Sequence, residues 1–88
     1  MAQLGADVEQ LDRLARKFDE EASQITQAVS QINSQVQSAW WKGSDADRFR
    51  QEWQGTYASQ LRRIAEALRQ VGTTVRRQAT QQRQTSGS

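Results

Sequence analysis

The side chains best suited to chemistry in this sequence are neighbouring carboxylates and neighbouring arginines. Acidic residues are adjacent at Asp19–Glu20 and nearly so at Asp45–Asp47, while arginines are adjacent at Arg62–Arg63 and Arg76–Arg77. Paired carboxylates are typical of general acid–base catalysis, and clustered arginines are typical of phosphate binding. The chain has no His and no Cys, which removes the commonest general base, the commonest neutral metal ligand and the thiol nucleophile. We therefore interpret the acidic pairs as helix surface and helix cap, and we expect no catalytic residue, metal site or cofactor.

The basic side chains are concentrated in the second half of the chain. Residues 1–44 carry four basic and six acidic side chains, whereas residues 45–88 carry eight Arg and four acidic side chains. A basic helical hairpin that binds nucleic acid is therefore one alternative. No aromatic residue is interleaved between Arg62 and Arg83, although stacking aromatics accompany the cations of many nucleic-acid sites. A solvated face or contacts with an acidic partner helix are favoured, and no nucleic-acid partner is expected.

A long helix must position the side chains of the first half. Apolar residues recur at alternating steps of four and three from Leu4 to Val36, which is the heptad pattern of a helix with one buried seam. Asp7 is a suitable N-cap, and Gln10 lies three residues later, where a capping-box partner is found. These signals predict helix one over about residues 7–39.

The second half has an apolar stripe of its own. Apolar residues from Ala46 to Val75 recur with a mean step close to 3.6, which indicates one face of a second helix. Ser44 is a suitable N-cap for this helix, with Asp47 at the third position. Gly55 costs ~1 kcal/mol relative to Ala inside a helix, so close approach of another backbone would explain its presence. Helix two is predicted over about 45–78, followed by a flexible polar tail at 79–88.

A short turn joins the two predicted helices. Gly43 separates the stripes, and glycine after a helix readily adopts the left-handed conformation that ends it. Residues 40–44 are therefore predicted as the turn, and so short a connection makes the helices antiparallel. Trp40 precedes Trp41 and cannot share its face, so Trp40 is expected to be more exposed. The sequence thus predicts an all-α protein in which residues 1–78 form a helical hairpin.

A single hairpin leaves half of each apolar stripe exposed to water. Soluble monomers seldom tolerate a long apolar strip, so a second hairpin is expected to cover it and complete a four-helix bundle. The partner is either a second copy, which the opposite charges of the two halves would allow, or a dissimilar hairpin. The residues predicted to form the dimer interface are Leu11, Phe18, Ile25, Ile32, Leu61, Ile64 and Leu68.

The residues of the turn carry a family resemblance. Trp41, Gly43, Ala46, Phe49 and Trp53 spell W-x-G-x-x-A-x-x-F-x-x-x-W at the midpoint of the 88-residue chain. This pattern resembles the WXG-100 family, the ESAT-like small proteins exported by type VII (ESX) secretion systems. The resemblance implies a hairpin, a homo- or heterodimeric four-helix bundle, and export as a folded dimer. It also implies that Trp41 and Gly43 form the turn half of an export signal, with Ala46, Phe49 and Trp53 as associated core.

One part of the family pattern is not found. The tail half of the signal is a Y-x-x-x-D/E motif, but Leu61 follows Tyr57 at that spacing and no acidic residue follows Glu66. For recognition by the type VII ATPase, either a partner chain supplies the tail signal, which is the simpler interpretation, or this member uses another signal. The N-terminus lacks the pattern of a cleavable signal peptide, so secretion without one and no stable membrane insertion are expected. An N-terminal targeting module of a larger toxin-like protein is a further alternative.

Overall fold

The computed structural model describes residues 5–87 of the chain, with side chains described for residues 5–84. Within that range the chain is helical and contains no strand. Two long helices lie antiparallel in a rod that measures 66 × 16 × 16 Å. The all-α helical hairpin predicted from the sequence is confirmed. The elements are α1 (Val8–Ser38), α2 (Ser44–Glu52), a π-helical turn (Trp53–Tyr57) and α3 (Ala58–Gly87).

The predicted cap begins α1. The side chain of Asp7 accepts a hydrogen bond of 3.1 Å from the backbone N–H of Gln10, which satisfies one of the free donors in the first turn. Glu9 adds negative charge near the positive end of the helix dipole. The helix ends at Ser38, and Ala39 is already extended, with φ −62° and ψ 135°. Leu4 lies outside the described residues.

Small residues form the seam between the two long helices. Gly72 lies so close to α1 that an added Cβ would meet the carbonyl oxygen of Ala15 at 3.2 Å and Cβ of Phe18 at 3.4 Å. The backbones therefore approach each other too closely for a large side chain to fit between them. The buried rows repeat every seven residues, Ala15, Ala22 and Val29 on α1 and Ala58, Ala65, Gly72 and Ala79 on α3.

The π-helical turn sets which residues of α3 face this seam. Buried Trp53 is followed by buried Ala58 five residues later, and the Ala58 N–H bonds to the Trp53 carbonyl. The extra residue rotates Tyr57 outward, where it is 47% exposed, and Ile64 follows it seven residues later at 50%. The predicted stripe through these two residues therefore lies beside the seam. Among the described residues nothing lies within 4 Å of a Cβ added at Gly55, so its predicted close approach is wrong; the close approach occurs at Gly72.

The second helix is longer than the sequence indicated. We predicted its end near residue 78 and a flexible polar tail at 79–88, but α3 continues to Gly87. Ala79 is fully buried, and the guanidinium of Arg83 forms an ion pair with the Asp12 carboxylate of α1. These contacts with α1 stabilise a helical conformation in a segment whose polar composition alone indicated a flexible tail. Ser88 lies outside the described residues.

Candidate functional site

The turn between the helices is built around Gly43. Its φ of 116° and ψ of 176° belong to a region of backbone conformation that is almost restricted to glycine. Gly43 is the N-cap of α2, because its carbonyl accepts the backbone N–H of Asp47 at 3.1 Å. The predictions that Gly43 ends helix one and that Ser44 caps helix two are therefore wrong. Asp45 and Asp47 lie in the first turn of α2, where their negative charge interacts favourably with the positive end of the helix dipole.

Arg50 of α2 binds the carbonyl groups at the end of α1 and in the turn. Its Nε donates to the Val36 carbonyl at 3.1 Å, its Nη2 to Ala39 at 3.0 Å and its Nη1 to Trp41 at 2.9 Å. The last turn of α1 contains no basic residue of its own. Arg50 thus supplies both hydrogen-bond donors and positive charge to carbonyls that have no partner within α1.

The aromatic residues of the turn differ sharply in exposure. The ring of Trp41 packs on that of Phe49, with centroids 5.6 Å apart and an interplanar angle of 45°. Ala46 is fully buried and Trp53 is 7% exposed, with its Nε1 donating to Asn33 Oδ1 at 3.3 Å. Trp40 is 88% exposed, the largest value among the exposed large apolar side chains of the described residues, and its position next to Trp41 predicted this exposure.

One side of the hairpin carries a continuous apolar surface, here called the apolar face. On both helices, most seam residues are followed three positions later by an apolar residue. Phe18 follows Ala15 in this way, and Leu68 follows Ala65. This spacing places these residues on one flank of the seam. The face includes all seven predicted interface residues: Ile32 and Ile64 are 43% and 50% exposed, and Leu11, Phe18, Ile25, Leu61 and Leu68 are half-buried.

The opposite edge of the seam is polar and closed by arginines. Arg69 donates to Thr26 Oγ1 at 3.0 Å, and Arg76 and Arg83 form ion pairs with Asp19 and Asp12. The three arginines repeat every seven residues and lie four positions after a seam residue, on the flank away from the apolar face. Three arginines of the second half, the part of the chain considered for nucleic-acid binding, thus contact α1 and are not gathered on an open basic surface.

The family model described as WXG100, proteins of 100 residues with WXG, matches residues 3–86 of the chain. This protein belongs to the WXG100 family. The match covers both long helices and the turn, and it agrees with the hairpin and the W-x-G residues described above. Neither a curated protein nor a solved structure gives a significant match.

The border of the apolar face in this WXG100 protein is almost without charge. Lys17 and Glu21 lie at this border by their positions along α1. Their charges neutralise each other in an ion pair, with 3.4 Å between Lys17 Nζ and Glu21 Oε2. The same two residues line an open groove of about 260 Å³ with Leu14, Phe18 and Leu68. The other border positions are mostly glutamine, namely Gln10, Gln24, Gln31, Gln35, Gln60, Gln78 and Gln81.

Several residues of these surfaces were not predicted from the sequence. Arg50 was not predicted as a site residue. The last turn of α1 contains no basic residue, so a basic residue early in the second helix is a usable signal for a side chain that binds the end of α1. Leu14, Tyr57 and Val71 are exposed on the apolar face and were absent from the predicted interface. A further signal for the seam was the row of small residues spaced seven apart in the second helix, Ala58, Ala65, Gly72 and Ala79.

Membrane spans and metal sites are two further features considered for the described part of this WXG100 protein. Between residues 5 and 87 no helix combines the length and the apolar character that a membrane span requires. In the same range no group of His, Cys, Asp and Glu side chains is placed to hold a metal ion.

Proposed function

We propose that this protein is a substrate or co-secreted partner of a type VII secretion system and is exported as a folded dimer. The observation that supports the export role is the W-x-G turn at the end of a hairpin that belongs to the WXG100 family. Gly43 holds a conformation nearly restricted to glycine, and Trp41 is fixed beside it by Phe49 and Arg50. A rigid turn of this kind can be read as a signal in the folded state.

The dimer is proposed because the hairpin alone leaves its apolar face uncovered. Leu14, Ile32, Tyr57, Ile64 and Val71 are between 42% and 50% exposed on that face. Burial of apolar surface is the main favourable term in association, at roughly 25 cal/mol/Å². Two hairpins packed through this face form a four-helix bundle, with the arginine edge of each left in water.

The border of the apolar face favours a second copy as the partner. Charged residues that flank an apolar seam select one partner over another by attraction and repulsion. Here the flanking positions are mostly glutamine, and the Lys17–Glu21 pair is internally neutralised, so identical chains do not repel each other. A dissimilar WXG-type hairpin that carries a Y-x-x-x-D/E tail signal for the ATPase is the other arrangement.

Export is tested in a bacterial host that has a type VII system. The full chain is produced in two strains that differ only in whether the secretion ATPase is active, and the protein is quantified in medium and lysate. We expect the chain in the medium of the strain with the active ATPase alone, with a cytoplasmic protein as the control for lysis. Equal amounts in both media would show that the chain does not use this system.

A further inference from the structure

We propose that Trp40 is the residue of the turn that contacts the export machinery, and that Phe49 and Arg50 position the turn so that Trp40 points outward. The proposal rests on the function proposed above and names its contact residue. The family resemblance assigns the signal to Trp41 and Gly43, whereas Trp40 is the more exposed of the two adjacent tryptophans in the structure. Trp40 is 88% exposed and Trp41 is 43% exposed.

Trp41 is already engaged within the hairpin from two directions. Phe49 packs on its ring at a centroid distance of 5.6 Å, and Arg50 donates to its carbonyl at 2.9 Å. These two holding residues are consecutive in α2, so one segment of helix fixes both the side chain and the backbone of Trp41. A side chain held in this way shapes the turn and has less surface left for a partner.

The same arrangement turns Trp40 outward. Arg50 also donates to the carbonyl of Ala39 at 3.0 Å, so the backbone is held on both sides of Trp40 while its indole is not packed. The ring of Trp41 packs on Phe49, whereas the indole of the adjacent Trp40 is 88% exposed, so the two side chains leave the turn in different directions. A large apolar side chain kept exposed on a rigid backbone needs little ordering when it binds.

The chemistry of the surface indicates a protein pocket as the partner. Tryptophan is among the residues most often found as an energetic anchor at protein interfaces, where it fills a pocket and donates its N–H. Next to Trp40, Trp41 and Phe49 are 43% and 38% exposed, and the nearby Lys42, Ser44 and Asp45 are polar and exposed. Binding to a lipid surface uses the broad apolar face of an amphipathic helix, which is larger than this small aromatic patch. The expected pocket is apolar or aromatic and contains an acceptor for the indole N–H.

The test compares four full-length single variants and one double variant in the two-strain export assay. Trp40→Ala removes the contact, Trp40→Phe retains an aromatic ring, and Lys42→Ala is the control for a change at another exposed position of the same turn. We expect Trp40→Ala to lower ATPase-dependent export at least about tenfold, as for an anchoring aromatic residue. Trp40→Phe should retain most of the wild-type export, and Lys42→Ala should be exported at the wild-type level. The melting temperature and solution mass of Trp40→Ala should not change, because the indole is exposed.

The fourth variant, Arg50→Lys, tests the positioning role. Lysine keeps the charge but lacks the planar fork with which arginine reaches three carbonyls at once. We expect Arg50→Lys to lower export, and the double variant Trp40→Ala/Arg50→Lys to export no less than Trp40→Ala alone. Additive losses would show that Arg50 acts on folding and not through Trp40, and would overturn its positioning role.

Three further results would overturn the proposal. Wild-type export of Trp40→Ala would remove the contact role while leaving the export function intact. Absence of ATPase-dependent export of the wild type would remove both. Binding of the wild type to vesicles of phosphatidylcholine and phosphatidylglycerol, seen as a blue shift in tryptophan emission that Trp40→Ala loses, would identify a membrane as the partner in place of a protein.

Discussion

Replacement of Gly43 by alanine tests whether the conformation of the turn depends on glycine. The backbone at Gly43 has φ 116° and ψ 176°, and apart from its two chain neighbours no described residue lies within 4 Å of an added Cβ. The cost of the substitution therefore comes from the local backbone conformation and not from contact with a distant residue. A non-glycine residue in this region costs about 1–3 kcal/mol.

Gly55 provides the matched control for this change. A Cβ added there also has nothing within 4 Å, but the backbone lies in the π-helical turn and its φ is not positive. Gly55→Ala should therefore gain up to ~1 kcal/mol, because alanine favours helical backbone and restricts the unfolded chain. The two variants contain the same chemical change in equally open surroundings, and they should differ by about 1.5–4 kcal/mol.

Thermal unfolding followed by circular dichroism measures this difference. One kcal/mol shifts the melting temperature of a chain of this size by about 4–8 °C, so Gly43→Ala should melt at least about 6 °C below Gly55→Ala. Both samples are compared at one protein concentration, since association shifts the melting temperature. Melting temperatures within about 2 °C of each other would refute the reasoning that positive φ makes glycine necessary at position 43.

Three other substitutions follow from the seam, the arginine edge and the apolar face. Gly72→Leu places a large side chain where a Cβ already meets Ala15 at 3.2 Å, so urea unfolding should show a loss of about 1–3 kcal/mol that Gly55→Leu does not share. Asp19→Ala removes a partner of Arg76 in a pair whose side chains are 41% and 44% exposed, so the loss should stay below about 1 kcal/mol and shrink at high salt. A larger, salt-independent loss would contradict this. Ile64→Glu places a charge on the apolar face, so light scattering should show a mass near that of one chain, whereas Gln70→Glu on the outer side of α3 should keep the wild-type mass. Equal masses for both variants would show that the apolar face does not pair.

The hairpin was predictable because its signals are local and repeated. The heptad pattern through Leu11 and Phe18, the cap at Asp7 and the glycine at the midpoint each indicate two helices and one turn. The positive φ of Gly43 was also indicated by its residue type. Its role as the N-cap of α2 was not, because either helix end could have used the same glycine.

The packing of the second helix could not be predicted by periodicity alone. A mean step near 3.6 selected Tyr57 and Ile64 for the buried stripe, while the π-helical turn shifted the buried positions by one residue to Ala58 and Ala65. A single extra residue in a helix has no strong local signal beyond Gly55. The extent of α3 was missed for a related reason, since its last turns depend on contacts such as Arg83 with Asp12, which lie far apart in the sequence.

We propose that two hairpins pair through the apolar face, and this pairing is the central claim behind the proposed export as a dimer. Light scattering of the purified wild-type protein, with helicity measured on the same sample by circular dichroism, tests it most directly. Because one chain has a mass of 10.0 kDa, we expect a strongly helical species of about 20 kDa. A stable, strongly helical species with the mass of one chain would contradict the proposed pairing. A poorly helical species of that mass would show that the face needs a dissimilar partner.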